Sequence, residues 1–152
     1  MLSYYIVDAF TDKPFGGNTA GVVLIEAEHP FPENETMRLI AAEFRYSETA
    51  FVKAEPDGSF TTRYFTPTGE VPLCGHATIA TFGVLFRKGL LKEGQAYLNH
   101  TLAGDLKVVA GPTTMMQMAK PKLIATLSNT ERDRLISIMG VTETTNLPIQ
   151  IV

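Results

Sequence analysis

The sequence predicts an α+β domain in which a β-roll or barrel wraps around one central, buried helix. Most of the chain consists of short runs of β-forming residues, separated by glycine, proline and asparagine turn signals. Residues 75–88 instead make a run of helical length whose apolar residues fall on every side of the helical wheel, so this helix must be enclosed. A doubly wound sheet is excluded because strands and helices do not alternate and no G-x-G-x-x-G or Walker loop occurs.

The composition is that of one globular domain without a nucleic-acid or membrane partner. Of 152 residues, 45% are hydrophobic and 19% are charged, which suits a folded core. The formal net charge is −3, and the sequence lacks the basic block that a nucleic acid or an anionic membrane would require. A single cysteine excludes an intrachain disulfide, and the N-terminus lacks a signal-peptide pattern, so we expect a cytoplasmic protein.

The segments before the central helix are predicted as two strand pairs and one surface helix. The predicted strands are β-forming runs at residues 3–10, 20–26, 47–54 and 60–66. A loop rich in glycine and turn residues connects the first pair, and Asp57-Gly58 is a hairpin signal within the second. Residues 35–44 carry one apolar face, which predicts an amphipathic helix lying on the sheet.

The segments after the central helix are predicted as further strands and a capped helix. The strands are expected at residues 95–101, 105–110, 113–120 and 149–152. The three methionines of 113–120 are expected to fill the core. The helix at 128–139 opens with Ser128 and Glu131 at the spacing of a capping box and ends at Gly140. Its predicted apolar face consists of Leu135, Ile138 and Met139.

The start of the central helix, Cys74-Gly75-His76, is the main candidate for chemistry. The unpaired N–H groups and the positive dipole end of a helix N-terminus favour an anion, such as a substrate carboxylate. Gly75 lets the backbone approach a ligand closely, and the thiol of Cys74 and the imidazole of His76 are both reactive groups. The alternative is structural: a small cysteine packed in the core, a glycine required by the turn and a histidine near a helix start. The residue types alone leave both interpretations open.

Five segments carry a resemblance to a known family. They are VDAFT at 7–11, FGGN at 15–18, SETAF at 47–51, RYFTP at 63–67 and EVPLCGHAT at 70–78. In order and spacing these segments resemble the phenazine-biosynthesis-like (PhzF-like) isomerases. The resemblance implies one half of a diaminopimelate epimerase-like fold, which has two β-rolls, each around a central helix, and an active site in the cleft between them. The N-termini of both central helices point into that cleft.

The resemblance also implies a reaction that uses no metal and no cofactor and moves a proton between carbons of a small carboxylate-bearing metabolite. The phenazine enzyme of this family isomerises a dihydro-hydroxyanthranilate. Glu48 matches the family's catalytic carboxylate, a general acid and base. Gly75 and His76 match the helix-start residues that contact substrate, and Cys74 falls where the epimerases carry one of two thiol bases. Asn18 lies in a loop that approaches the cleft and is expected to bind substrate.

The cysteine count and the chain length bear on how such a site would work. A two-thiol reaction cannot run in one copy of a chain with one cysteine, so the carboxylate route is favoured. The family's chains are nearly twice as long as this sequence. Residues 1–143 are therefore predicted as the N-terminal β-roll domain, and 144–152 as a linker and the start of a second half that is absent here.

Three interpretations follow from this length, and the sequence leaves them open. The chain is a truncated product, or it pairs with a second copy as a homo-oligomer, or it is a non-catalytic half-domain that acts as a binding or interaction module. The first two cases predict an exposed apolar surface and association with the missing half or with another copy. The isomerase function is the first hypothesis and the interaction module is its alternative.

Overall fold

The computed structural model of the chain describes residues 3–118, 121–141 and 148–152. The chain divides into two compact units, Met1–Gln117 and Met118–Val152. The domain boundary predicted between residues 143 and 144 lies outside the described residues. Within those residues, no helix has the length and apolarity needed to cross a membrane.

The first unit contains a mixed β-sheet with two helices. Its strands in the described residues are β1 (Ser3–Ala9), β2 (Asn18–Ile25), β3 (Thr49–Ala54), β4 (Phe60–Thr66), β5 (Gly69–Val71), β6 (Ala96–Thr101), β7 (Gly104–Val109) and β8 (Met115–Met116). Its helices are α1 (Asn34–Phe44) and α2 (Gly75–Arg87). The strand order is β1-β2-β3-β4-β6-β7-β8, with β5 paired to β4. The pairs β2–β3 and β4–β6 are parallel and the others are antiparallel, as hairpins require.

The sheet curls around α2, which confirms the predicted β-roll with a buried central helix. Helix α2 packs against β1, β2, β3 and β8, whereas α1 packs against β3, β4 and β5. The buried residues of α2 are His76, Ala77, Thr78, Ala80, Thr81, Phe82, Val84 and Leu85. Because successive side chains of a strand point to opposite faces, Val22 of β2 faces the α2 cluster and Val23 joins the α1 cluster. The sheet is therefore covered by a helix on each face.

The prediction for residues 113–120 is wrong in part. Only Met115–Met116 forms a strand, whereas residues 119 and 120 lie outside the described residues. Within the part of the chain that the structure describes, β8 pairs with β7 alone. Alternation along β8 turns Met116 towards the core and leaves Met115 66% exposed. Met118 is 65% exposed. The prediction that these methionines fill the core is therefore correct for Met116 alone.

The second unit contains one helix and a short strand pair in its described residues. Helix α3 (Asn129–Met139) begins after the predicted capping box, in which Ser128 and Glu131 bond reciprocally, and ends at Gly140 with φ 63°. Strands β9 (Ala125–Thr126) and β10 (Gln150–Ile151) pair antiparallel. The predicted apolar face of α3 is not buried, because Ile138 and Met139 are exposed and Leu135 is only half-buried.

A chain of buried hydrogen bonds ties the start of α2 to the sheet. Oγ1 of Thr62 donates to Oδ1 of Asn99 (2.6 Å), and Nδ2 of Asn99 donates to the hydroxyl of Tyr64 (3.2 Å). The Tyr64 hydroxyl lies 2.6 Å from Oγ1 of Thr78, which donates to the carbonyl of Cys74 (2.7 Å). Since Thr78 uses its proton on Cys74, Tyr64 must donate to Thr78. Strands β4 and β6 thereby hold the carbonyl at which α2 begins.

Replacing Tyr64 by phenylalanine should lower the free energy of unfolding. The substitution keeps the ring but leaves the buried Nδ2 of Asn99 without this acceptor, and such a loss costs about 1–3 kcal/mol. Urea denaturation of the Tyr64→Phe variant measures the effect. The matched control is Tyr4→Phe, because Tyr4 is 60% exposed. Equal stability of the two variants would contradict this role of the Tyr64 hydroxyl.

Candidate active site

Glu48 is placed by the end of α1 and the start of β3. Arg45 adopts a left-handed conformation with φ 60°, which ends α1 and turns the chain back towards the sheet. The carbonyl of Glu48 then accepts a hydrogen bond from the N–H of Gly21 (3.2 Å), next to the parallel pairing of β2 and β3. The backbone at Glu48 is therefore held by the sheet, and its side chain is 23% exposed.

The N-terminus of α2 presents backbone donors that no carbonyl of the helix accepts from. Cys74 is the N-cap residue, with extended φ and ψ of −138° and 117°. The first helical hydrogen bond runs from the N–H of Thr78 to the carbonyl of Cys74 (3.0 Å), so the three N–H groups before it have no carbonyl within the helix. A Cβ added to Gly75 would meet no atom within 4 Å, so open space lies beside this residue. These are the features of an anion site at a helix start.

Glu48, Cys74 and His76 come together at this helix start. Nε2 of His76 lies 3.5 Å from Oε2 of Glu48, and Nδ1 of His76 lies 3.2 Å from Sγ of Cys74. One donor atom from each of the three residues lies within 4.8 Å of the other two. The structure thus brings together three residues that the sequence analysis selected, with Gly75 beside them in the chain. Their roles stay predictions.

The position of the thiol proton determines how the three groups interact. Burial raises the pKa of the Cys74 thiol to about 11, and the N–H of Ala77 lowers it by a smaller amount. The negative charge of Glu48 and a hydrogen bond to its carboxylate raise the pKa further, because both favour the protonated thiol. Cys74 is therefore a neutral thiol near neutral pH.

The thiol has one proton, so the partner to which it donates sets the tautomer of a neutral His76. A thiol that donates to Nδ1 requires the imidazole proton on Nε2, facing Glu48, whereas a thiol that donates to the Glu48 carboxylate accepts from Nδ1–H. The 3.5 Å separation exceeds the ordinary range of N–H···O hydrogen bonds. The imidazole thus lies between a thiol and a carboxylate, and it is in contact with both ends of the cluster.

Asn18 follows the loop that connects β1 and β2. It is the first residue of β2, its side chain is exposed, and it pairs across the sheet with Ala9. Gly17 before it has φ 66°, and a Cβ there would lie 2.0 Å from the carbonyl oxygen of Ala9, so only glycine fits. Substrate binding by Asn18 stays a prediction.

The buried polar chain behind the helix start was missed by the sequence analysis. Thr62 and Tyr64 are two and four residues after the buried Phe60 in β4, so a period of two already places them on the inward face. A threonine and a tyrosine at inward positions are the signal that could have found the chain. Their partner Asn99 is far away in sequence and could not be paired with them without knowledge of the parallel β4–β6 contact.

A cavity of about 440 Å³ lies elsewhere on the first unit. It is lined by residues of β1, by the loop after it, by the last turn of α2 and by Lys88 directly after that helix. The rise of an α-helix places that turn roughly 16 Å from His76 along the axis. The lining of this cavity does not include Glu48, Cys74 or His76. The candidate site is instead the helix start itself.

The fold belongs to a class that includes epimerases. A structure of a predicted epimerase from Pseudomonas aeruginosa superimposes with a TM-score of 0.71, covering 97% of this chain and 54% of that chain at 19% identity. An identity this low shows the fold alone. A sequence model of the family described as "Phenazine biosynthesis-like protein" matches residues 7–152. The chain belongs to this phenazine biosynthesis-like family.

Individual relatives agree with the family match. The uncharacterized isomerase YddE of Escherichia coli O157:H7 is 39% identical in an alignment that covers 95% of this chain and 49% of the relative. The crystal structure of a putative phenazine biosynthesis PhzC/PhzF protein from Clostridium difficile is 30% identical, with a TM-score of 0.74. That superposition covers 100% of this chain and 55% of the other. The chain thus spans about half the length of such relatives.

The ionisation of Cys74 should respond to Glu48. At pH 8 a thiol with a pKa of about 11 is ionised in about one molecule in a thousand, so iodoacetamide should react slowly and faster with rising pH. Glu48→Gln removes the negative charge that opposes the thiolate, so the midpoint of the pH–rate profile should shift to lower pH. Mass spectrometry of the alkylated protein measures the rate. The control is Glu43→Gln on the exposed side of α1, and a midpoint unchanged by Glu48→Gln would refute the coupling.

Proposed function

We propose that this chain carries the catalytic carboxylate of an isomerase or epimerase that moves a proton between carbons of a small carboxylate-bearing metabolite. Glu48 is the general acid and base, and the start of α2 binds the substrate carboxylate. The observation that carries the proposal is the 3.5 Å approach of the Glu48 carboxylate to His76 at the N-terminus of the buried helix. The family match and the similarity to an uncharacterized isomerase support the same class of reaction.

The helix start suits the charge that this reaction creates. Removal of a proton from the carbon beside a carboxylate places additional negative charge on the carboxylate oxygens. Fixed N–H donors at that position stabilise the charge as it forms, without reorganisation of solvent. Gly75 leaves open space beside these donors, and the buried polar chain through Tyr64 and Thr78 holds the helix start in position.

Glu48 is a better candidate for the base than Cys74. Burial and the Glu48 charge keep the thiol protonated, and the chain has one cysteine where a two-thiol epimerase needs two. In the proposed reaction His76 lies between the two groups and contacts substrate, while Cys74 bonds to the imidazole and fixes its orientation. Asn18 is proposed to contact substrate from the loop before β2.

The opposite wall of the cleft must come from further residues. We propose that it is supplied by a second half, as in relatives about twice as long, or by a second copy of this chain. In either arrangement Glu48 and the start of α2 form one wall of the cleft. The substrate binds between this wall and the opposite wall. No metal or cofactor is expected in this reaction. The alternative to this proposal is a non-catalytic binding or interaction module, and the experiments below distinguish the two.

Glu48→Gln should abolish proton exchange. The amide keeps the shape of the side chain but cannot accept the proton, and a general base contributes at least about 100-fold to the rate. The assay measures deuterium incorporation from heavy water into dihydro-hydroxyanthranilate and a panel of small carboxylates by NMR.

The control for this experiment is Glu43→Gln, which changes an exposed carboxylate of α1 by the same atoms. It should exchange at the wild-type rate. Equal rates for Glu48→Gln and wild type would refute the assignment of the base. Binding of a carboxylate by wild type without any exchange would instead favour the interaction module.

Gly75→Ala should impair the site without harming the fold. The added methyl group meets no protein atom within 4 Å, so the free energy of unfolding should not fall. The methyl group does occupy the space proposed for the substrate carboxylate, so affinity should fall by about tenfold or more, as misplacement of a substrate predicts.

The matched control is Gly83→Ala, in the middle of the same helix, where an added Cβ is also unobstructed. It should raise the free energy of unfolding by about 0.5–1 kcal/mol and leave affinity unchanged. Calorimetry of substrate binding and urea denaturation provide the two measurements. Unchanged affinity in Gly75→Ala would place the carboxylate elsewhere.

A further inference from the structure

We infer that Glu48, Cys74 and His76 also form a binding site for a thiophilic divalent cation, best matched by zinc, and that the bound ion inhibits the protein. The inhibition rests on the function proposed above, whereas the binding does not. The ion is not a cofactor in this inference, because it would coordinate the Glu48 carboxylate, which must move the proton.

The three side chains provide the donor types that zinc selects. A thiolate, an imidazole nitrogen and a carboxylate oxygen are the common protein ligands of zinc, and three of them leave a fourth position for water. Zinc bonds of about 2.3 Å to sulfur and about 2.0–2.1 Å to nitrogen or oxygen place tetrahedral donors roughly 3.3–3.6 Å apart. The donor atoms here lie within 4.8 Å of one another, with one pair at 3.5 Å. An imidazole binds an ion through one nitrogen, and Nε2 is the nitrogen beside Glu48 whereas Nδ1 is the one beside Cys74. The Cys74 thiol must therefore rotate towards Nε2 to complete the set.

An unsatisfied nitrogen points into the same space. The His76 side chain is 9% exposed, and its Nε2 is buried without a hydrogen-bond partner. A buried polar atom of this kind is costly and calls for a ligand or an ion. Its nearest charged group is the Glu48 carboxylate at 3.5 Å, so an ion between the two would satisfy both. The missing hydrogen-bond partner of this nitrogen is a separate observation from the types of donor present, and it also supports a ligand at this position.

Binding has a defined proton balance. The thiol of Cys74 must lose its proton when sulfur bonds to the metal, and that proton passes to solvent. Imidazole binds in its neutral form and the carboxylate in its ionised form. Once coordinated, the Glu48 carboxylate is no longer free to accept a proton from carbon. A chelator that removes the ion restores the thiol and the carboxylate together.

A second group of potential donors provides a matched control. Glu26, Glu28 and His29 also place one donor atom each within 4.8 Å of the others, but all three are exposed and none is a thiol. Exposed carboxylates bind cations weakly because water competes for them. His29→Asn therefore removes an imidazole from a three-residue cluster without touching the inferred site.

The experiment titrates the full chain with zinc in competition with a chromophoric chelator. Cys74→Ser and His76→Asn should each weaken binding by at least about 100-fold, since even residues behind metal ligands are worth roughly 10–100-fold. His29→Asn should bind as wild type does. Cobalt bound to wild type should show a thiolate-to-metal charge-transfer band that is missing in Cys74→Ser. This band reports the bond to sulfur directly, so it tests the site even if His76→Asn does not fold.

The inference is overturned if zinc binds wild type no more tightly than it binds Cys74→Ser, or if cobalt shows no thiolate band. Zinc should also stop deuterium exchange, and a chelator should restore it. Zinc binding by a chain without exchange activity would refute only the proposed function. Exchange that is unaffected at saturating zinc would refute the inhibition.

Discussion

The enclosure of α2 by the sheet is the constraint on which the site depends. A helix that is apolar on most sides has no stable position at the surface, so the strands must curl until it is covered. That burial fixes the axis of the helix and hence the place where its unpaired N–H groups emerge. Strand β3 packs on the same helix, and Glu48 immediately precedes that strand. The burial of α2 thus determines the positions of both the N–H donors and the Glu48 carboxylate.

The polar groups at the helix start are arranged in two layers. Beneath the surface, Thr62, Asn99, Tyr64 and Thr78 satisfy one another and hold the carbonyl of the N-cap residue. Above it, the thiol, the imidazole and the carboxylate are only partly satisfied by one another. The satisfied layer gives rigidity, whereas the unsatisfied layer has unused capacity for a ligand. This difference separates the scaffold from the reactive groups.

The sequence predicted the fold where a pattern is local. The run that is apolar on all sides predicted the buried helix α2. Asp57-Gly58 predicted the β3–β4 hairpin, and Ser128 with Glu131 predicted the start of α3. Edge positions were less predictable, because alternation shows that a strand has two faces but not whether both are covered. Met115 lies on the uncovered face of β8. An apolar face of a helix can also be left uncovered, as the exposure of Ile138 in α3 shows.

The site was predictable in a different way. The anion-binding character of the helix start follows from residue types and helix geometry, whereas the proximity of Glu48 came from the family resemblance. No periodicity relates Glu48 to His76, since the contact depends on the parallel pairing of β2 with β3 and on the position of α2. The link from Tyr64 to Asn99 depends on the β4–β6 pairing and was missed.

The parallel pairing of β4 with β6 has a consequence for how the chain folds. Helix α2 lies between these two strands in sequence, so the crossover that joins them contains the helix. The ends of a long segment must meet before this pairing gains any energy, and such closure is slow compared with the formation of a helix or a hairpin. We therefore expect the β3–β4 hairpin and α2 to form before β6 pairs with β4. The pairing of β4 with β6 also brings Asn99 to Tyr64, so the same pairing completes the polar chain that holds the helix start.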